Sequence, residues 1–240
     1  MENYKLTIII PVFNESENLF RVEKECLNYF NKSKNRSKVL FVDDGSTDDS
    51  LKIIKTICDN NACFEFISFD KNYGLSAAIK AGFDNVKTEL TGYIDADLQT
   101  HPEDFDLLIE HAEAFDLVTG NRSHNRKDSF IKNMSSTIAN FIRRLFTQDG
   151  MDDTGCPLKI IKTTYAQQIP MFKGLHRFLP AMVMLQNGQI KQVDVRHFPR
   201  IAGQAKFGLL NRLVGPLIDC FGYLWMKKKY INYKISTKTC

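Results

Sequence analysis

The sequence is poor in residues that would cross-link, stiffen or interrupt it. It has one Trp, seven Pro and thirteen Gly in 240 residues, and no tract rich in Pro, Gly or Ser. That scarcity excludes collagen-like and low-complexity disordered chains and leaves no evident linker, so one continuous domain is the simplest organisation. The six Cys form no Cys-x-x-Cys and meet no His at metal-ligand spacing. A disulfide framework and a structural zinc site are therefore excluded, and reduced thiols in a cytosolic compartment are expected. No apolar run reaches the roughly 20 residues needed to cross a bilayer. The nearest, Leu209 to Met226, is broken by Arg212, Pro216 and Asp219. The start, Met1 to Lys5 before a short apolar run ending at Pro11, lacks the features of a secretory signal. A P-loop and a Gly-x-Gly-x-x-Gly fingerprint are also missing, which argues against kinase and dinucleotide-oxidoreductase chemistry.

What is present suits a sizeable core: 43% of residues are hydrophobic and 25% charged. The net charge of +4 is unevenly placed, with +5 in residues 121–146, +8 in residues 189–240 and −9 elsewhere. A basic second half beside an acidic first half suggests an anionic partner, whether phosphate, membrane surface or nucleic acid. Because the aromatics of the basic half follow helical spacing and form no stacking platform, nucleic acid is not expected.

The first 120 residues alternate short apolar runs with amphipathic segments, the pattern of an α/β fold with a mainly parallel sheet flanked by helices. Strands are expected at Leu6–Val12, Val39–Val42, Phe64–Phe69, Leu90–Ile94 and Phe115–Thr119. Helices are expected at Ser16–Phe30, after a Ser46-Thr47-Asp48-Asp49 capping box, over Leu75–Val86, and from Pro102-Glu103-Asp104. Beyond Gly120 the pattern changes. Asn121 to Phe146 is basic and ends amphipathic, Pro157–Ile161 and Ile190–Val195 read as strands, and amphipathic helices are expected in the second half. Leu209 to Met226, followed by Lys227-Lys228-Lys229, suits a helix lying in a membrane interface, or one packed on the core or in a dimer.

In an open parallel sheet, ligands lie outside the carboxyl ends of the strands. Strand one runs into Pro11-Val12-Phe13-Asn14-Glu15, strand two into Asp43-Asp44-Gly45-Ser46, and strand four into Asp95-Ala96-Asp97-Leu98-Gln99. Each alone is ordinary turn chemistry. Three at equivalent positions on one sheet mark a site. Asp95 and Asp97, two apart on an extended segment, project the same way and suit a hard divalent cation such as Mg²⁺ or Mn²⁺.

These segments, with Asn72-Tyr73-Gly74, resemble the successive motifs of family 2 glycosyltransferases with the GT-A (Rossmann-like) fold. Gly120-Asn121-Arg122, Asp153-Thr154-Gly155-Cys156, His176-Arg177-Phe178-Leu179-Pro180 and Arg200-x-x-Gly203-x-x-Lys206-Phe207 further resemble the branch of dolichol-phosphate mannosyltransferase and bacterial polyprenyl-phosphate glycosyltransferases. The resemblance implies a catalytic domain over 1–208, with a nucleotide-sugar half (1–120), an acceptor half (121–208) and a basic interfacial segment at 209–240. It implies that Pro11, Phe13, Glu15, Asp43, Asp44, Asn72, Gly74, Asp95, Ala96, Arg200 and Lys206 bind the nucleotide sugar, Asp44 alternatively supporting its loop. It implies that Asp95, Asp97 and Gln99 hold the metal and that Arg122, Lys132 and Ser136 meet the acceptor phosphate. Arg196 is a further candidate for the diphosphate, or a solvated strand-end charge.

Asp95, Asp97, Arg122 and Asp153 are the expected catalytic residues. A lipid monophosphate is largely dianionic near neutrality, with a second pKa of about 6, and needs positive charge more than a base. A hydroxyl acceptor would need a base, for which Asp153 is the candidate. The resemblance thus implies an inverting enzyme on the cytoplasmic face of the membrane, peripherally attached, with a homo-oligomer or a membrane-protein partner open. A hydroxyl of a glycan or glycolipid as acceptor, and a non-catalytic nucleotide-sugar-binding module, stand as alternatives.

Overall fold

The computed structural model describes residues 4–123, 144–199, 214–232 and 236–237. Seven strands form one sheet in the order β3-β2-β1-β4-β6-β5-β7, with β1 at Leu6–Val12, β2 at Ser37–Asp43, β3 at Phe64–Ser68, β4 at Leu90–Tyr93, β5 at Leu117–Asn121, β6 at Lys159–Lys162 and β7 at Ile190–Asp194. All neighbours are parallel except β6, which runs antiparallel to both β4 and β5. The carboxyl ends of β1, β2, β4 and β5 therefore share one edge. The amino end of β6 lies on that same edge, so the loop entering β6 reaches the site as well.

The near-continuous apolar run Leu6-Thr7-Ile8-Ile9-Ile10 is what a strand covered on both faces requires, and every one of these side chains is buried, the Thr7 hydroxyl bonded to that of Thr88. One face, carrying Leu6, Ile8, Ile10, Val39, Phe41, Val118 and Ile160, packs on α1 (Ser16–Lys32), α2 (Ser50–Asn60) and α4 (Phe105–Ile109). The other, carrying Ile9, Leu40, Val42, Tyr93, Leu117 and Ile161, packs on α3 (Leu75–Asn85), α5 (Thr163–Gln168), α6 (Leu179–Leu185) and α7 (Val214–Lys229). The α/β sheet expected from the sequence is thus present, and it draws strands from both the 1–120 and 121–208 segments.

Three expectations shift in detail. The Ser46–Asp49 box does not open α2: the Ser46 hydroxyl accepts the Asn14 N–H (3.0 Å), and Asp48 takes the N–H groups of Ser50 and Ser16 (2.9 and 3.2 Å). The Ser46 hydroxyl faces the other loop, the Ser50 N–H is taken by Asp48, and α2 starts at Ser50. The fifth strand runs to Asn121 instead of Thr119, because Gly120 and Asn121 pair with Val193 and Asp194 of β7. Pro102–Asp104 forms a single 3-10 turn leading into α4.

α7 packs through Cys220 and Tyr223 into the apolar cluster of the Ile9 face, the latter stacked on Phe178 of the turn before α6 at 5.7 Å between ring centres. Its opposite side leaves Ile218, Phe221, Leu224 and Trp225 exposed, ahead of the exposed Lys227, Lys228 and Lys229. Among the described residues, no helix is long and apolar enough to cross a membrane.

Candidate active site

The loops after β1 and β2 are laced together. The Asn14 side chain accepts the Thr47 N–H (2.8 Å), and the Glu15 N–H donates to the Ser50 hydroxyl (2.9 Å). Asn14 sits at φ 53°, a left-handed conformation that Asn tolerates better than most residues. Gly45 is also left-handed, at φ 66°, and a Cβ there would collide with the backbone of Lys71. No side chain could occupy that turn.

Buried Asp43 ends β2, accepting the Ser68 hydroxyl (2.8 Å) and the Ser46 N–H (3.2 Å). Asp44 is buried beside it and faces the 72–74 loop. It accepts the N–H groups of Tyr73 (2.7 Å) and Gly74 (2.9 Å) and the amide of Asn72 (2.9 Å). Both Asp44 oxygens are thus engaged with the loop. Asn72 and Gly74 are placed by that carboxylate. Pro11 and Phe13 line the same edge, half-buried, and the Glu15 carboxylate accepts the Asn18 amide (2.8 Å).

At the end of β4, Tyr93 donates its hydroxyl to Asp95 Oδ1 (2.7 Å). Leu98 holds φ 50°, an uncommon conformation for a bulky residue. This folds the segment back so that the Leu98 N–H reaches the Asp95 carbonyl (3.3 Å) and the Gln99 N–H reaches Asp97 Oδ1 (3.1 Å). The Gln99 carbonyl accepts the Phe198 N–H (2.9 Å), docking the segment after β7 on this loop. Burial, and then the neighbouring Asp97 charge, push the Asp95 carboxyl up to about 6, against the lowering effects of Tyr93, Arg122 and Lys159. Two carboxylates crowded in a low-dielectric pocket form an oxygen donor set that fits a hard divalent cation. Among the described residues, no third His, Cys, Asp or Glu completes a cluster. The pair would leave coordination positions open for water and substrate oxygens.

Arg122 follows β5 and is 5% exposed. Its Nε and Nη2 donate to Asp153 Oδ2 and Oδ1 (2.9 and 3.2 Å), and its backbone N–H also reaches Oδ2 (3.2 Å). Burial works against the guanidinium charge, but the Asp153 hydrogen bonds and charge outweigh it and hold its pKa above the usual range. Two residues earlier, Gly120 leaves no room for a side chain: a Cβ there would lie 2.7 Å from the Val195 side chain and 2.8 Å from Cys156 Sγ.

The structure thus brings Pro11, Phe13, Glu15, Asp43, Asp44, Asn72, Gly74, Asp95, Ala96, Asp97, Gln99, Arg122 and Asp153 to one edge of the sheet. Lys132, Ser136, Arg200 and Lys206 lie outside the described residues. Arg196 pairs with Asp104 (Nε–Oδ1 2.8 Å) and reaches Glu103 (3.4 Å), so it acts as a strand-end charge in this structure.

Two buried groups escaped the sequence reading as parts of the site. Lys159 is 2% exposed in β6, and its signal was a lysine inside the apolar Pro157–Ile161 run. Tyr93 ends β4 and carried no signal beyond strand propensity. His176, singled out only within its motif, bonds through Nδ1 to the Ser76 hydroxyl (2.8 Å), which also accepts the Gly174 N–H (3.0 Å). Burial, then the charges of Arg177 and Lys159, push its pKa down to about 3.

The sheet order and the acidic turn after β4 define a GT-A-type fold. The fold is similar to that of glucosyl-3-phosphoglycerate synthase from Mycobacterium tuberculosis, solved with Mn²⁺, UDP-glucose and phosphoglyceric acid. The TM-score is 0.68 at 13% identity, over 95% of this chain and 81% of that one. It is likewise similar to mannosyl-3-phosphoglycerate synthase from Rubrobacter xylanophilus, with a TM-score of 0.69 at 14% identity over 98% and 79%.

The profile of glycosyl transferase family 2 matches residues 7–169, and the chain belongs to that family. Curated relatives include dodecaprenyl-phosphate galacturonate synthase of Rhizobium johnstonii, 28% identical over 98% of this chain and 69% of the relative. Another is undecaprenyl-phosphate 4-deoxy-4-formamido-L-arabinose transferase of Salmonella choleraesuis, 30% identical over 90% of this chain and 66% of the relative. The chain spans about two thirds of the length of these relatives.

Proposed function

We propose that the protein transfers a sugar from a nucleotide-sugar donor to a polyprenyl phosphate, with inversion at the anomeric carbon. The observation that carries this reading is the meeting, at one sheet edge, of the Asp95–Asp97 pair with the buried Arg122–Asp153 pair. One is suited to a cation and diphosphate, the other to an anionic acceptor. The polyprenyl-phosphate substrates in the names of the relatives support it.

Asp43, Phe13, Pro11 and Glu15 form the pocket for base and ribose, on a loop frame tied by Asn14, Ser46 and Asp44. Asp95 and Asp97, with Gln99, would hold Mg²⁺ or Mn²⁺, which neutralises the diphosphate as it departs. Arg122, aimed by Asp153, holds the acceptor phosphate with Lys132 and Ser136, while Arg200 and Lys206 close on the donor. An acceptor phosphate oxygen attacks the anomeric carbon as the bond to the diphosphate oxygen breaks. No proton need be removed from a phosphate already ionised. Asp153 therefore orients Arg122 and does not act as a base.

The acceptor is a membrane lipid, and the exposed row Ile218, Phe221, Leu224 and Trp225, ending in three lysines, suits docking on the anionic cytoplasmic face of a bilayer. Release of nucleoside diphosphate from candidate donors, with Mn²⁺ and either undecaprenyl phosphate or free sugars added, tests the reading. Stimulation by the lipid phosphate alone is expected. Stimulation by sugars alone would favour a hydroxyl acceptor.

A further inference from the structure

Lys159 is a buried ammonium for which the reaction just described has no use. It opens β6 opposite Tyr93 of β4 on one side and Thr119 of β5 on the other. Opposed residues in antiparallel ladders share a face, so Lys159 sits beside the tyrosine that holds Asp95. Its Nζ donates to the carbonyl oxygens of Thr154 (3.2 Å) and Cys156. Those carbonyls belong to the turn that begins at Asp153, whose carboxylate grips Arg122 through three N–H groups.

Lys159 is 2% exposed, and its Nζ is committed to those two carbonyls. Burying an ammonium costs several kcal/mol unless specific partners offset it. The neighbouring strand positions, Leu158, Ile160 and Ile161, are apolar, so packing alone does not call for a charge here. Asp153 also neutralises Arg122, and burial works against a charge on Lys159, holding its pKa below the usual range.

We propose that Lys159 is a positioning residue, clamping the Thr154 and Cys156 carbonyls so that Asp153 keeps Arg122 aimed at the acceptor phosphate. The proposal rests on the acceptor assignment above for its functional meaning. Its geometric content stands apart from it.

Lys159→Met removes both donations while keeping side-chain length. For the acceptor, KM is expected to rise by about tenfold or more, with the dissociation constant of the nucleoside diphosphate in Mn²⁺ unchanged to within about twofold. In a cycle with Asp153→Asn, the double variant should be no worse than Asp153→Asn alone, because both act through one pair. Hydrogen exchange of the Arg122 Nε–H, followed by NMR, should speed up by about tenfold or more in Lys159→Met. A residue that only stabilises the fold would lower activity with the folded fraction, leave KM unmoved and give an additive cycle. Additivity, or Arg122 exchange as slow as in the wild type, would overturn the proposal. If Lys159→Met does not fold, Lys159→Leu is read by the same exchange experiment, and Arg122 exchange as slow as in the wild type overturns the proposal. A wild type without turnover on polyprenyl phosphate would sink the proposed function, while the exchange measurement would still decide the clamp.

Discussion

The two sides of the site solve the placement of charge in opposite ways. On the nucleotide side, carboxylates at the ends of parallel strands are held by backbone N–H groups and hydroxyls: Asp43 by Ser46 and Ser68, Asp44 by Tyr73 and Gly74, Asp97 by Gln99. On the acceptor side, charges are held by other charges, with Arg122 and Asp153 both buried and Lys159 beneath them. The first arrangement orients acids through neutral donors. The second fixes a cation that a flexible surface arginine would leave wandering. Removing a partner should therefore do different things on the two sides.

The largest expected effect is on the nucleotide side. Asp97→Ala should lower kcat/KM by about a thousandfold, with the denaturation midpoint close to that of the wild type, since the Leu98 N–H still reaches the Asp95 carbonyl and the Gln99 carbonyl still accepts the Phe198 N–H. A fall in stability matching the fall in rate would erase the distinction between the two sides. On the acceptor side Asp153→Ala should cost about 3–5 kcal/mol of folding stability, because it leaves a guanidinium buried without its counter-charge. Urea denaturation gives this directly, and a loss below about 1 kcal/mol would show the pair to be solvated.

His176 joins the two sides, bonding to Ser76 at the start of α3 from the turn before α6. Its folded pKa is pushed down to about 3 from an ordinary 6.5. The unfolded chain therefore binds the proton first, and stability that is complete above about 6.5 is lost as pH falls toward 3. Between pH 7.5 and 5 the wild type should lose about 1–2 kcal/mol more than His176→Gln. Equal losses would mean that the imidazole titrates freely. The smallest effect concerns α7: Trp225→Asp should weaken partitioning onto anionic vesicles by about tenfold, leaving Mn²⁺-dependent nucleotide binding intact. Unchanged sedimentation with vesicles would remove that face from the account.

The same contrast explains what could be read in advance. Strands β1, β2 and β4 were legible to within two residues because each is an apolar run soon followed by Asp or Asn, the pattern of a parallel sheet covered on both faces, and the edge strand β3 through Phe64, Phe66 and Ile67. The order of the sheet was not legible. Only long-range pairing puts β6 between β4 and β5, and nothing local in Pro157–Ile161 announces an antiparallel strand. The Asp95–Asp97 turn could be found from spacing of two. The Arg122–Asp153 pair spans 31 positions and became visible only through the turn that precedes β6. Ser46 misled because capping chemistry and loop-to-loop hydrogen bonding use the same hydroxyl, and the choice depends on Asn14, 32 positions earlier. Lys159 broke an apolar pattern, and such a break marks a residue kept for something other than packing.

Thermal denaturation with a nucleoside diphosphate and Mn²⁺, each alone and both together, tests the role of the acidic pair most directly when run on the wild type and Asp97→Ala. The account predicts that UDP or GDP together with Mn²⁺ raises the midpoint by several degrees in the wild type, that neither component alone does so, and that Asp97→Ala shows no such rise. The same rise in Asp97→Ala, or in the wild type with the metal chelated, would contradict it.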